Sequence, residues 1–351
     1  MADNILHGLV FISSSDKPVP GMNRSILAAE APLRDQNIEL HYLFTQTYWR
    51  FFCSLLRLIF KEKRLRYDFL LINSAAALIN GFPLGLWLAR LMQIRRRPNS
   101  IYWHETEWAF SIIHEKWPTR LSWIDAFAKR ASTKHLTASS DGARAISGRY
   151  PQAKPTPIFE CVTAPPSSQP QAASQEPPCV VNIASIQERK GVELFVETAI
   201  KTCRQHDTVE FHWLGVGKHY GSYLQDIDAA GLSERIRFPG YRDDAWAKLQ
   251  QANLLFLSSR DDPFPLAVLE AMALGCTVMV FNVGGAPEAL NGHGIVIESF
   301  DTAAAAAAIL KQLSRSPEES INLPLQKEYE AKYTPEKFAE RFNRTIREAL
   351  E

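Results

Sequence analysis

Asp262 and Glu270 stand eight positions apart in the run Ser258-Ser259-Arg260-Asp261-Asp262-Pro263-Phe264-Pro265-Leu266-Ala267-Val268-Leu269-Glu270-Ala271-Met272-Ala273-Leu274-Gly275. Residues 254–257 before it are apolar and read as a strand. A polar loop follows, then a helix from near Pro265 to Gly275, then a strand over 277–281. That order puts one carboxylate in the loop and the other about one turn into the helix. Both can then face one pocket and accept hydrogen bonds from ligand hydroxyls. The unpaired N–H groups at the helix start suit a phosphate. By residue type alone the two carboxylates also read as helix caps. A second candidate is Lys190, in Asn182-Ile183-Ala184-Ser185-Ile186-Gln187-Glu188-Arg189-Lys190-Gly191-Val192. Its ammonium is a point charge suited to a diphosphate, or simply a solvated surface group. His104 ends the apolar run 100–104, where it is either a ligand-facing imidazole or a satisfied strand-end histidine.

The elements that position these residues repeat along the chain. Short β-rich runs occupy 9–13, 39–44, 69–73, 100–104 and 135–138, and then 180–184, 209–214, 236–238, 254–257, 278–281 and 295–297. Helical patterns fill most of the gaps. Such alternation predicts parallel sheets covered on both faces. Residues 164–178, rich in proline, serine and glutamine, read as a linker. The expected organisation is a first α/β domain over 1–163, the linker over 164–178, a second domain over 179–332, and a helix over 333–351 that crosses back to the first. Thr334-Pro335-Glu336 is a helix start, and Phe338, Phe342, Ile346 and Leu350 form one apolar stripe. Residues 301–314, with six consecutive alanines, predict another helix. Ligands of open α/β sheets bind beyond the carboxyl ends of the strands, so the natural site is the cleft between the two domains.

With these residues in place, the chain resembles the family-4 retaining glycosyltransferases of GT-B fold. Their signature is an acidic residue, a turn of the Gly-Phe-Pro kind, and a glutamate after seven intervening residues. Here it reads Asp262, Pro263-Phe264-Pro265 and Glu270, continuing as Glu-Ala-Met-Ala-x-Gly through Gly275 and then Gly284-Gly285-Ala286-Pro287-Glu288. The resemblance covers most of 179–298 and the terminal helix, and is looser in the first half. It implies a GT-B architecture of two Rossmann-like domains whose parallel sheets face a central cleft. It also implies transfer of a sugar from a nucleoside-diphosphate sugar, with retention of configuration, to a glycan or lipid-linked acceptor in cell-surface polysaccharide or glycoconjugate synthesis. Catalysis would fall to His104, Asp262, Glu270 and Lys190. Donor binding would fall to Gly21, Ser185, Arg189, Lys190, Gly215, Tyr241, Asp262, Phe264, Pro265, Leu266 and Glu270. Ser140 falls where the family often carries a strand-end serine. No metal or other cofactor is expected, because cationic and backbone groups would stabilise the leaving diphosphate.

Four positions depart from the commonest pattern. Asp262 replaces a glutamate and is one methylene shorter. Pro263 replaces a glycine and has no N–H to donate. Ser185 stands where many members have arginine, for which Arg189 is a substitute. Gly21 is the one glycine left of a usual pair. These departures leave open a non-catalytic glycan-binding module; an epimerase or phosphorylase on the same fold is the other alternative.

Composition narrows the classes further. The 351 residues are 46% apolar, with a net charge of +1, enough for two hydrophobic cores. Residues 1–165 hold 21 Lys+Arg against 13 Asp+Glu, and the remainder 18 against 25. A positive first half suits anionic partners, although ordinary charge scatter gives the same sums. Five scattered cysteines without a CxxC pair argue against disulfides and structural zinc, and fit a reducing cytoplasm. Asp226-Ile227-Asp228 has the form of a metal-holding Asp-x-Asp, but it sits in the helical pattern 223–230 and is read as an exposed helix face. No Gly-x-Gly-x-x-Gly follows the first strand of either half, which argues against a nicotinamide dehydrogenase. Nucleic acid is not an expected partner. Residues 49–67 and 84–97 mix apolar and basic residues and are candidate contacts with an anionic membrane surface, or helix faces packed on the sheet. The resulting expectation is a cytoplasmic protein, peripheral on the membrane if those segments touch lipid. Trp103, Trp108, Trp117 and Trp123 could stack on acceptor sugars or pack in the core.

Overall fold

The computed structural model describes residues 5–12, 21–44, 67–73, 99–104, 134–149, 151–165, 177–218 and 220–351. The chain forms two units, residues 1–162 with 335–351, and residues 163–334.

The described strands of the first unit are β1 (Leu6–Ile12), β2 (Ile38–Phe44), β3 (Phe69–Asn73), β4 (Asn99–His104), β5 (Lys134–Thr137) and β6 (Thr156–Pro157). They form one parallel sheet in the order β2-β1-β3-β4-β5-β6. Strand β1 begins three residues before the expected 9–13. His7 and Gly8 interrupt the apolar run that marks a strand in sequence, yet the ladder pairs them with Glu39 and Leu40. Gly8 is needed there, since a Cβ would stand 2.3 Å from the Phe69 ring. Helices α1 (Gly21–Ala28), α2 (Glu30–Asp35) and α3 (Ser140–Arg149) belong to this unit. So does the C-terminal helix, Pro335–Leu350. Its stripe of Phe338, Phe342 and Ile346 is fully buried with Val10, Ile38, Leu71 and Ile101, and Leu350 packs at the margin. Phe342 meets Phe69 at 6.3 Å between ring centroids. Last in sequence, this helix completes the core of the first unit.

The second unit holds β7 (Cys179–Ile183), β8 (Glu210–Leu214), β9 (Ile236–Gly240), β10 (Leu254–Leu257), β11 (Val278–Phe281) and β12 (Ile295–Ile297). They form a second parallel sheet ordered β12-β11-β10-β7-β8-β9. The chain builds outward from β7 through β8 to β9, returns to β10 on the other side of β7, and continues to β12. The strand order therefore reverses between β7 and β10. Among the helices are α4 (Val192–Cys203), α5 (Gly221–Ala229), α6 (Ala245–Gln251), α7 (Leu266–Ala273), α8 (Ala286–Leu290) and α9 (Thr302–Leu313). Every residue of α7 is buried, as its apolar composition on all sides requires. The alanine-rich α9 starts where Asp301 accepts from the N–H groups of Ala303 and Ala304, both at 2.9 Å, a side-chain N-cap. Phe195 of α4 anchors the core, 5.2 Å from the Trp213 ring and 5.8 Å from Phe211.

Candidate functional site

The loops after β7 and β10 leave the sheet at the point of strand-order reversal, the place where open α/β sheets take ligands. Both loops carry the chemistry singled out in the sequence. After β7, a single turn of 3-10 helix (Glu188–Lys190) ends at Gly191, whose φ is +66°. A Cβ at Gly191 would stand 2.0 Å from the Ser258 carbonyl oxygen. Glycine is therefore what lets the β7 loop lie against the β10 loop. Hydrogen bonds then hold them together. The Arg260 N–H donates to the Arg189 carbonyl at 2.8 Å. The Ser258 hydroxyl donates to the Lys190 carbonyl at 3.1 Å, and Asn182 donates to that hydroxyl at 3.1 Å.

This contact brings the Lys190 ammonium onto the Asp262 carboxylate as an ion pair, with side chains only 12% and 8% exposed. A third loop holds Asp262 from behind. The Gly285 N–H donates to the Asp262 carbonyl at 3.1 Å. Gly284, at φ +61°, approaches so closely that a Cβ would be 2.0 Å from that oxygen. The sequence showed Gly284-Gly285 as part of a motif, and the structure gives the pair the task of fixing Asp262. Glu270 is also buried, in α7, which starts four residues after Asp262 at Leu266. No side chain caps the N-terminus of α7, where Pro265 is the N-cap residue.

The remaining candidates take different places. Ser185 follows β7. Gly215 follows β8 and meets the Ala184 carbonyl at a distance (1.9 Å from an ideal Cβ) that excludes any other residue. Arg189 donates from Nε to Gln187 at 3.1 Å and from Nη1 to the Asp261 carbonyl at 3.4 Å, so it buttresses the two loops. Phe264 turns its ring into the core against Tyr333, 5.6 Å away, and Leu266 is likewise buried. These two side chains anchor the turn, and Pro265 holds the N-cap position of the helix without capping it. Tyr241 is 61% exposed just beyond β9, next to Gly240 at φ +82°. In the first unit, Gly21 opens α1, Ser140 opens α3, and His104 ends β4 in register with Thr137. The His104 and Trp103 side chains lie outside the described atoms. Residues 49–66 and 84–97, and Trp108, Trp117 and Trp123, lie outside the described residues. Asp226 and Asp228 fall within α5 (expected over 223–230), where Asp228 accepts from the Ser233 hydroxyl at 3.2 Å.

The β7 loop also borders an open pocket of about 850 Å³. Ile186, Gln187 and Glu188 line it from the β7 loop, Gly217 and Lys218 from beyond β8, and Glu193, Tyr223 and Arg260 complete the lining. Arg260 forms an ion pair with Glu193 and lies over the Phe300 ring, 5.1 Å from its centre. Burial, then the Glu193 and Glu188 carboxylates, push the Tyr223 phenol up. This pocket is not legible in the sequence, because its residues come in short separate groups between Ile186 and Arg260.

Two parallel sheets, each of six described strands, define the class. The chain is an α/β protein of GT-B fold. It superposes on sucrose-phosphate synthase from Thermosynechococcus elongatus with a TM-score of 0.73, at 16% identity over 97% of this chain and 98% of that one. The Anabaena protein HepE, solved with UDP-glucose, superposes with a TM-score of 0.71, at 17% identity over 97% and 99% of the two chains. Residues 177–315 match the family Glycosyl transferases group 1. The chain is 28% identical over 256 residues to the lipopolysaccharide core biosynthesis mannosyltransferase LpcC of Rhizobium leguminosarum bv. viciae, covering 64% of this chain and 70% of that protein. Its matches to the first curated relatives span only 27% to 31% of their length.

Proposed function

We propose that the protein is a glycosyltransferase that moves a sugar from a nucleoside-diphosphate sugar to a cell-surface glycan or lipid-linked acceptor, with retention of configuration. The observation that carries this reading is the Lys190–Asp262 pair at the strand-order reversal, with the buried Glu270 in the helix that follows. Lys190 takes the donor diphosphate, which competes with Asp262 for the ammonium and releases the carboxylate toward sugar hydroxyls. Glu270 accepts hydrogen bonds from the ribose. Ser185, Gly215 and Tyr241 border the nucleotide, and Gly21 and His104 contribute from the first unit. As the bond to the sugar breaks, negative charge grows on the leaving diphosphate. Lys190 and the uncapped N-terminus of α7 oppose that charge, so the chemistry needs no metal, and the leaving phosphate can accept the acceptor's proton. The match of residues 177–315 to Glycosyl transferases group 1 and the LpcC likeness support the donor and the acceptor class respectively. Among the described residues no helix is long and apolar enough to cross a membrane. Contact with a lipid surface through 49–67 and 84–97 is part of the proposal.

A panel of UDP-, GDP- and dTDP-sugars, screened by thermal shift with and without chelator, tests the donor. At least one should raise Tm equally in both conditions. If no nucleotide sugar raises Tm, the reading fails, and if the rise needs a divalent cation, the metal-free mechanism fails. The anomeric configuration of the product, read by NMR, tests retention.

A further inference from the structure

On the first unit, strands β1 and β2 bring His7, Glu39 and His41 together on one sheet face. The register pairs His7 with Glu39 and Leu9 with His41. Side chains alternate along a strand, so residues 7, 9, 39 and 41 share a face, opposite the one on which Val10 and Ile38 meet the C-terminal helix. Three of those four positions carry metal-ligating groups, and the fourth, Leu9, is a buried apolar flank. One ligand atom from each of His7, Glu39 and His41 lies within 4.8 Å of the other two.

We propose that this cluster binds a divalent transition-metal ion of the zinc or nickel type, clamping the edge strand β2 to β1. The distances fit that use. His7 Nδ1 and Glu39 Oε2 stand 3.4 Å apart, long for a hydrogen bond. Two donors about 2.1 Å from a tetrahedral ion are separated by about 3.4 Å. Small side-chain rotations bring the third ligand to the same spacing. The rings are already held. Tyr67 packs edge-on against His41 at 5.5 Å, and the His7 and His41 rings are 5.6 Å apart. Asp68 fixes the His7 backbone through two 2.8 Å bonds, one from the His7 N–H to its carboxylate and one from its own N–H to the His7 carbonyl. Such contacts hold the side chains that would meet the metal in place. Imidazole nitrogen selects zinc, nickel, copper or cobalt over magnesium and calcium. His7 and Glu39 sit at the amino-terminal ends of their strands and His41 at the middle of its strand, away from the carboxyl edge of that sheet, so the site is a structural clamp and not part of the transfer chemistry.

The test is Co²⁺ titration of the untagged full-length protein, followed by visible absorption, with Tm measured in Zn²⁺, Ni²⁺ and Mg²⁺. One Co²⁺ per chain should give d–d bands without thiolate charge transfer. Zn²⁺ or Ni²⁺ should raise Tm, and Mg²⁺ should not. His7→Gln with His41→Gln should abolish uptake, and Glu39→Gln, which keeps the side-chain shape, should weaken it at least tenfold. No uptake by the native chain, or the same uptake by the double histidine variant, would overturn the proposal. Nucleotide-sugar binding should be unchanged in Glu39→Gln, which separates this site from the donor site.

Discussion

At the residue scale, the Lys190–Asp262 pair joins stability to function. Both groups are largely shielded from water, so removing one partner strands a buried charge, which costs roughly 3–5 kcal/mol. Lys190→Met should therefore lower Tm sharply, and adding Asp262→Leu should recover much of the loss. Donor transfer should stay low in both variants. Recovery of activity together with Tm would remove Lys190 from the donor site. Glu270→Ala should cut transfer by about 10- to 100-fold, the value of one or two charge-assisted hydrogen bonds, and full activity would end its assignment. A third residue reports on acid stability. His212 lies 3.4 Å from the Cys179 sulfur and 3.0 Å from a Glu210 oxygen. Burial holds its pKa below the ordinary value, against the opposing pull of Glu210, while burial pushes the Cys179 thiol up to about 12. An unfolded histidine takes up its proton near pH 6.5 and the folded one only at lower pH. Stability should thus be independent of His212 above about pH 6.5 and fall as pH drops below it. Chemical denaturation between pH 7.5 and 5.5 should show a shallower decline in His212→Gln; identical slopes would exclude it.

At the element scale, the candidate site is an assembly of loops that glycines allow to touch. Gly191, Gly215 and Gly284 each press against a neighbouring backbone carbonyl where a Cβ would lie within 2.0 Å. Gly284→Ala adds both a clash and left-handed strain, the latter about 1–2 kcal/mol. Its effect falls on Asp262, whose carbonyl it abuts. Donor affinity, read by calorimetry, should drop at least tenfold while the far-ultraviolet circular dichroism stays native. Unchanged affinity would show that the third loop does not position Asp262. The helix α7 was readable from its apolar run and its Pro265 and Gly275 boundaries. The extension of β1 back to Leu6 was not, because His7 and Gly8 mask the strand pattern until the partner strands are known.

At the scale of the whole molecule, the C-terminal helix ties the end of the chain to its first unit. Phe338, Phe342 and Ile346 are fully buried there, and a buried Phe→Ala change costs about 3–5 kcal/mol. In Phe342→Ala, hydrogen exchange should accelerate in β1, β3 and α2, with the core strands β7, β10 and β11 still protected. Uniform loss of protection in both units would mean that they unfold as one.

The sequence by itself determined the alternation of strands and helices, the buried stripe of the last helix, and the spacing from Asp262 to Glu270, because each is a local pattern of side-chain type. Only the tertiary structure decided that Lys190 reaches Asp262 across 72 positions, that Phe264 packs inward on Tyr333, and that His7 faces Glu39. Those facts depend on strand order and register. Hydrogen-bonded backbone ladders and close glycine contacts set them, and no periodicity along one segment records which other segment will lie beside it.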